Sequence, residues 1–153
     1  MKKFTMTLDK KLQCPIAYLY NWHEIDAMID TGYIFPVWIE AEELLLDLGA
    51  TRLNNHVTFS GFGGKAEGSL YDIPVFQFGE LIYPHFHIIV HRIMLPCQMI
   101  LPATMFDHLR YEIDNENHLF NVTIPDKQSN VRNLVIKDEN GKLHVFCTPA
   151  DFD

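Results

Sequence analysis

The sequence predicts an all-β protein, mostly antiparallel, with one or two short helices, and three observations lead to that fold class. Apolar residues alternate with other residues along several stretches, most clearly at 25–29, as they do in half-buried strands. Turn-forming residues separate these stretches, whereas helical periodicity is clear only at 39–48. The 153 residues are predicted to form a single domain, 1–153, which is long enough for a substantial core.

Strands are predicted wherever a β-like apolar run is bounded by turn signals. They are residues 3–8, 15–20, 24–30, 34–39, 56–60, 67–78, 81–90, 99–101, 110–113, 118–124, 131–136 and 143–146. Pro36 suggests an edge position or a bend for its strand, because proline has no amide hydrogen to donate. The last four strands are expected to pair as two hairpins.

The clearest helix is predicted at residues 39–48. Its apolar residues are spaced so that they share one face, and they are Ala41, Leu44, Leu45 and Leu48. Gly49 is well placed to end this helix. A second short helix is predicted at 102–108, with Pro102 at or near its start.

Charge and composition exclude several classes of partner. The chain has 12 Lys and Arg against 20 Asp and Glu, a net charge of −8, and no basic patch, so no nucleic-acid partner is expected. No apolar segment is long enough to span a bilayer and the N-terminus does not read as a signal peptide, so no membrane partner is expected. Three widely spaced cysteines predict buried, reduced thiols and a cytoplasmic location.

Three segments stand out as candidates for function. The strand at 24–30 ends in Asp30-Thr31-Gly32, where the simpler interpretation is an aspartate that starts a turn. Gly61-Phe62-Gly63-Gly64 forms a glycine-rich tip between two strands, which could equally be an ordinary flexible hairpin. The third segment is the apolar strand at 99–101, which leads into a short helix.

These three segments, in this order, make residues 15–124 resemble the retropepsin-like aspartic proteases, the single-domain relatives of pepsin. That family carries Asp-Thr-Gly after a strand, a glycine-rich flap, and a later apolar segment followed by a helix. The resemblance implies a closed β-barrel or sandwich and the hydrolysis of peptide bonds in a peptide or protein substrate. It implies no metal and no other cofactor.

By the same resemblance, Asp30 is the catalytic residue and the active protein is a homodimer, because the chain has one Asp-Thr-Gly and the reaction needs two carboxylates. Two carboxylates at close range cannot both ionise, so the pair shares a proton and can both activate water and protonate a carbonyl. Thr31 would hydrogen-bond across the dimer, and Gly32 would let the backbone turn and the substrate approach. Gly61, Phe62, Gly63 and Gly64 would form the flap that closes over the substrate.

Two positions depart from the family pattern. Tyr33 follows the Asp-Thr-Gly where the family usually has a small residue, so its ring must either crowd the carboxylates or point elsewhere. Leu101-Pro102 stands where the family has an apolar residue and glycine. These departures keep open a second interpretation, a protease-fold module that binds peptides or supports assembly with weak or no catalysis.

Histidines suggest a third interpretation, a cupin-like metal-binding β-barrel. Gly79 followed after five residues by His85-Phe86-His87 matches the first half of the cupin metal motif, and His91 would share the same strand face. The glutamate and the final histidine of that motif are missing. We therefore expect structural histidines on a solvated or dimer-facing side, and the metal site remains the weaker alternative.

Overall fold

A computed structural model describes residues 1–12, 14–61 and 63–150, and nearly all of its regular structure is β. The strands are β1 (Lys2–Thr7), β2 (Ile16–Asn21), β3 (His23–Asp30), β4 (Val37–Trp38), β5 (Thr51–Gly61), β6 (Gly64–Phe78), β7 (Leu81–Val90), β8 (Met99–Pro102), β9 (Arg110–Asp114), β10 (Leu119–Ile124), β11 (Arg132–Glu139) and β12 (Lys142–Pro149). The helices of these ranges are α1 (Glu42–Asp47) and a 3-10 helix (Ala103–Phe106). The all-β prediction with one or two short helices is confirmed. No helix in the described ranges is long and apolar enough to cross a membrane.

The strands form two sheets. The smaller sheet has the order β1-β10-β9, and the larger follows the path β12-β11-β7-β4-β8-β3-β2 and curls into a half-barrel. The long β5–β6 hairpin joins the larger sheet because β6 pairs antiparallel with β7 from Ser69 to Phe78. Strand β8 lies between β3 and β4, parallel to the first and antiparallel to the second.

Two hydrophobic clusters cover the two faces of the larger sheet. In β4 the side chain of Trp38 joins one cluster and that of Val37 joins the other, and in β8 Leu101 and Ile100 divide in the same way. Strands covered on both faces are apolar at every position instead of alternating. Every residue of β4 and β8 is buried, so these two strands form a rigid centre for the loops that follow them.

The apolar run at 34–39 gives the first difference from the sequence-based prediction. Only Val37–Trp38 forms a strand, and β4 is an inner strand with β7 and β8 on its two sides. The edge position suggested by Pro36 is therefore wrong. Pro36 precedes the strand, and its carbonyl accepts a hydrogen bond from the Ile89 amide at 3.0 Å, so its missing amide hydrogen breaks no ladder.

Helix α1 is shorter than predicted and buries fewer residues. It begins at Glu42 rather than at residue 39, and Gly49 follows its end with a φ of +81°. Leu45 and Leu48 are buried, whereas the side chain of Leu44 is 44% exposed, so the predicted four-residue face is wrong at that position. A helix of six residues makes fewer than two turns and buries only a narrow row of side chains.

Candidate active site

The loop that carries Asp30 begins where β3 ends. The carboxylate oxygen Oδ1 of Asp30 accepts a hydrogen bond from the Gly32 amide at 3.1 Å, and the Asp30 carbonyl accepts one from the Tyr33 amide at 3.2 Å. Asp30, Thr31 and Gly32 are all exposed. The loop therefore presents an oriented carboxylate to the solvent, with the amide hydrogen bond holding one of its oxygens.

Strand β8 and the 3-10 helix hold this loop from one side. Pro102 lies opposite Asp30 in the parallel pairing of β3 with β8. Beyond β8, the Ala103 amide donates to the Tyr33 carbonyl at 3.3 Å, and the Thr104 hydroxyl donates to the Ile34 carbonyl at 2.7 Å. Between β3 and β4 the chain therefore turns around β8, which pairs with both strands. These contacts restrict the positions that Asp30 can take.

Pro102 ends β8, at the position where the resemblance predicts glycine. Its φ of −89° and ψ of 164° are extended, and this φ lies about 25° from the value near −65° that the proline ring prefers. Proline lacks an amide hydrogen, but it is the last residue of β8, where the ladder ends. The substitution is therefore compatible with the strand that supports the Asp30 loop.

The backbone turns at Thr31-Gly32, as predicted, but Gly32 does not use the left-handed conformation that favours glycine. Its φ lies outside the left-handed region that favours glycine, unlike those of Gly49, Gly63, Gly79 and Gly141. A Cβ added at Gly32 would lie 3.5 Å from the nearest carboxylate oxygen of Asp30, an ordinary contact distance. Neither the φ of Gly32 nor the space around it therefore requires glycine within one chain.

The ring of Tyr33 points toward the β5–β6 hairpin. Its hydroxyl donates a hydrogen bond to the Ser60 carbonyl at 3.1 Å, and its ring meets that of Phe35 edge-on at 6.0 Å between centroids. Burial raises the pKa of the Tyr33 hydroxyl to about 12, and the negative charge of Asp30 adds to the shift. Of the two alternatives for this ring, pointing elsewhere is therefore confirmed.

The flap prediction falls on the β5–β6 hairpin. Ser60 pairs with Lys65 and Gly61 with Gly64 at the end of this hairpin, and Phe62 lies outside the described residues. Gly63 has a φ of +92°, which suits glycine in a tight hairpin turn. A Cβ at Gly61 would clash with the Tyr33 hydroxyl and lie 3.0 Å from its Cζ atom, so this glycine makes room for the tyrosine.

Sequence reasoning missed two residues that hold the site together. Ser60 contributes its backbone carbonyl, which every residue type possesses, so no sequence signal could identify it. Thr104 contributes a hydroxyl that reaches 70 residues back along the chain to Ile34. A threonine near the start of a predicted helix would have been assigned a local capping role instead.

The histidines on β7 do not converge on a metal site. His85 Nδ1 lies 3.0 Å from one carboxylate oxygen of Asp72, and His87 Nε2 lies 3.8 Å from the other. The Nδ1 atom of His87 lies 3.0 Å from the Ile136 amide nitrogen of β11. His87 is partly buried under β11, so the expected solvated or dimer-facing side is wrong for this residue. Burial lowers the pKa of His87, partly offset by the Asp72 carboxylate.

The structure supports neither the glycine nor the histidines of the cupin-like metal motif. Gly79 has a φ of +57° in the turn between β6 and β7, and the Phe4 ring covers it, so turn geometry and packing explain this glycine. Across the described residues, no group of three or more His, Cys, Asp or Glu side chains is arranged to hold a metal ion.

Comparison with solved structures finds a retropepsin-like aspartic protease from Rickettsia conorii. The two chains superpose with a TM-score of 0.53 at 15% sequence identity, and the match covers 79% of this chain and 89% of that chain. No protein-family model matches the sequence, and no curated protein matches it. At this identity the likeness concerns the fold alone. The chain has a retropepsin-like aspartic protease fold.

Proposed function

We propose that two copies of this chain form an aspartic endopeptidase in which Asp30 of each copy supplies one carboxylate of a catalytic pair. The exposed Asp30 carboxylate at the end of β3, oriented by the Gly32 amide at 3.1 Å and backed by β8, carries this proposal. The retropepsin-like fold supports the proposal. The contact that Tyr33 of the same loop makes with the flap hairpin supports it as well.

The chemistry requires no cofactor. One carboxylate of the pair is ionised and takes a proton from the attacking water, while the other is protonated and donates to the carbonyl oxygen of the peptide bond. In this proposal the two carboxyl groups share one proton. Activity should therefore be highest at acidic to neutral pH and fall when both carboxyls ionise.

The neighbouring residues have positioning roles in this proposal. Thr31 hydrogen-bonds across the dimer and keeps the two loops in register. Gly32 presents no side chain to the substrate, which agrees with a backbone conformation that does not itself require glycine. Gly61, Gly63 and Gly64, with Phe62 between them, cover an extended peptide and exclude water from it.

The first experiment compares Asp30→Asn with Asp26→Asn, the same substitution four residues earlier in β3. Both variants and the parent chain are incubated with a denatured protein and with peptides, and the products are identified by mass spectrometry. Asp30→Asn should remain folded and cleave nothing, whereas Asp26→Asn should keep its activity. Equal cleavage by Asp30→Asn and the parent chain would refute the proposal.

The second experiment tests whether the two carboxylates come from two chains. Parent and Asp30→Asn chains are unfolded together in equal amounts and refolded, so that they assemble at random. Only dimers with two intact aspartates should cleave, so activity should fall to about a quarter of that of the same total amount of parent chain. A fall to one half would mean that each chain acts alone.

A protease-fold module that binds peptides without cleaving them is the second candidate function. The hydrogen bond between Tyr33 and Ser60 favours this second candidate. It holds the flap against the Asp30 loop, whereas a flap that admits and releases substrate must move relative to that loop. A peptide that binds the parent chain and Asp30→Asn equally, and stays intact with both, would support this candidate over the first.

A further inference from the structure

We propose that a pocket between the flap and the C-terminal β11–β12 hairpin binds an acidic side chain of the substrate, preferably glutamate. This inference rests on the proposed peptidase function and names the substrate feature that the chain selects. The pocket has a volume of about 440 Å³. Three segments line it, and their lining residues include Ile34, Phe35, Phe59, Lys65, Lys142 and Leu143.

The walls of this pocket are mainly apolar. Phe35 and Phe59 are buried and meet edge-on at 6.1 Å between ring centroids, and Leu143 of β12 packs against the same hydrophobic cluster. The C-terminal hairpin therefore forms a wall of the pocket as well as a strand pair at the sheet edge. Such walls suit the methylene groups of a side chain longer than aspartate.

The rim of the pocket is cationic. Lys65 comes from the flap and Lys142 from the β11–β12 turn, and the lining holds no Asp or Glu among the described residues. Neither ammonium group forms an ion pair with a carboxylate in the described ranges. Two lysines without a direct ion pair line one pocket in a chain of net charge −8, and they favour the binding of an anion, while Glu139 lies opposite Lys142 in the β11–β12 pairing.

The position of the pocket links it to the proposed catalytic loop. Ser60, whose carbonyl accepts the hydrogen bond from Tyr33, is itself a lining residue. Ile34, another lining residue, follows Asp30 by four positions and receives the hydrogen bond from Thr104 at its carbonyl. A peptide lying extended between Asp30 and the flap would therefore pass beside this pocket and could place one side chain in it.

The expected preference is modest, because both ammonium groups are on exposed lysines. An exposed ion pair changes binding by about twofold to fivefold. One position within a few residues of the cleaved bond should therefore be enriched about twofold to fivefold in glutamate over glutamine. Reversing the charge of either lysine leaves one cation and one carboxylate in the lining, so it should remove that enrichment.

The test is a cleavage-site profile on peptides prepared by digesting a whole cell proteome. The parent chain, Lys142→Glu and Lys65→Glu each cleave this mixture, and mass spectrometry of the products gives the residue frequencies around the cleaved bonds. Lys127→Glu is the matched control, since it makes the same charge change at an exposed lysine that does not line the pocket. Circular dichroism of each variant checks that it is folded.

The outcomes separate this inference from the proposed function. Glutamate enrichment in the parent chain and in Lys127→Glu, lost in both pocket variants, supports the acidic-side-chain pocket. Cleavage with no glutamate enrichment, or with a preference for large apolar residues alone, overturns the pocket and leaves the peptidase intact. Enrichment that survives both charge reversals also overturns it. A parent chain that produces no more cleavage than Asp30→Asn overturns both proposals.

Discussion

The hydroxyl of Tyr33 donates a hydrogen bond to the carbonyl of Ser60 at 3.1 Å, which connects the loop of Asp30 to the β5–β6 hairpin. A small residue after Asp-Thr-Gly could not make this connection. The neighbouring Gly61 has no side chain, and a Cβ there would clash with the tyrosine hydroxyl. The position of the Tyr33 ring therefore requires a residue without a side chain at position 61, and the glycine there is explained by that contact.

Gly61→Ala should destabilise the protein because its Cβ would displace the Tyr33 ring. Forcing an extra methyl group into such a contact lowers the free energy of unfolding by about 1–3 kcal/mol. Urea unfolding followed by fluorescence measures this difference. Gly64→Ala is the matched control, because a Cβ at Gly64 meets nothing within 4 Å and its φ is not in the left-handed region.

The same clash can be tested by a double-mutant cycle. Tyr33→Phe removes the hydroxyl, so Gly61→Ala should be less destabilising in that background than in the parent chain. The Cζ atom would still lie 3.0 Å from the new Cβ, so the relief should be partial. Equal effects of Gly61→Ala in both backgrounds, or equal effects of Gly61→Ala and Gly64→Ala, would contradict the assigned contact.

Tyr33→Phe alone should lower the free energy of unfolding by about 0.5–1.5 kcal/mol at neutral pH, the usual contribution of one hydrogen bond. The pKa of Tyr33 is raised from 10.0 to about 12, so the unfolded chain loses this proton first as the pH rises. The stabilisation is therefore complete below pH 10 and is lost between pH 10 and 12. Urea unfolding of both proteins across that window should show their difference shrinking, and a constant difference would refute the assignment.

Alternation and short apolar runs in the sequence predicted most of the strands, but they gave the wrong bounds for the run at 34–39. Strand β7 has the predicted bounds, residues 81–90, because the change from apolar to polar residues marks where it begins and ends. The run at 34–39 gave only a two-residue inner strand, because β4 is buried on both faces and its pairing depends on the distant β8. Sequence separation of about 60 residues hides such pairing from any local pattern.

Part of the candidate site was visible in the sequence for chemical reasons. Asp30 and Gly63 stand out because a carboxylate after a strand and a glycine in a tight turn have few substitutes. The direction of the Tyr33 ring and the position of Lys142 beside the flap were not visible. Both depend on packing between segments that are far apart in the chain, and a lysine in a turn is ordinarily a solvated side chain.

His87 should make the stability of the protein sensitive to acid. Its Nδ1 atom lies 3.0 Å from the Ile136 amide nitrogen and 3.4 Å from the Ile136 carbonyl oxygen, and the shorter contact requires an unprotonated Nδ1. Burial lowers the pKa of His87 below 6.5, although the facing Asp72 opposes this shift and His85 adds to it. The stabilisation is therefore present above pH 6.5 and is lost as the pH falls through the lowered pKa.

His87→Asn separates the hydrogen bond from the titration. The amide oxygen of asparagine can accept from Ile136 as Nδ1 does, but it does not titrate in this range. The parent chain should lose more stability than His87→Asn when the pH falls from 7 to 5. His23→Asn, at an exposed histidine at the start of β3, should follow the parent chain. Parallel curves for the parent chain and His87→Asn would contradict the prediction.

Arg132 is a buried charge that holds β11 to the end of the 3-10 helix. Its side chain is almost completely buried, with the residue only 2% exposed, and its Nη2 atom donates to the Asp107 carbonyl at 2.5 Å. The Nε and Nη1 atoms are buried and have no hydrogen-bond partner among the described residues. The guanidinium thus gains one strong hydrogen bond and leaves two donors unsatisfied, each of which opposes folding.

Because one hydrogen bond is set against two unsatisfied donor atoms, Arg132→Met and Arg132→Ala should differ sharply in their free energies of unfolding. Methionine fills most of the volume and removes two unsatisfied donors while leaving the Asp107 carbonyl unpaired, so the free energy of unfolding should change by less than about 1 kcal/mol. Alanine removes the same groups and also leaves a cavity, so it should destabilise by about 2–4 kcal/mol. Urea unfolding of both variants measures the difference. A methionine variant as unstable as the alanine variant would mean that the charge itself, rather than the volume of the side chain, stabilises the junction between β11 and the 3-10 helix.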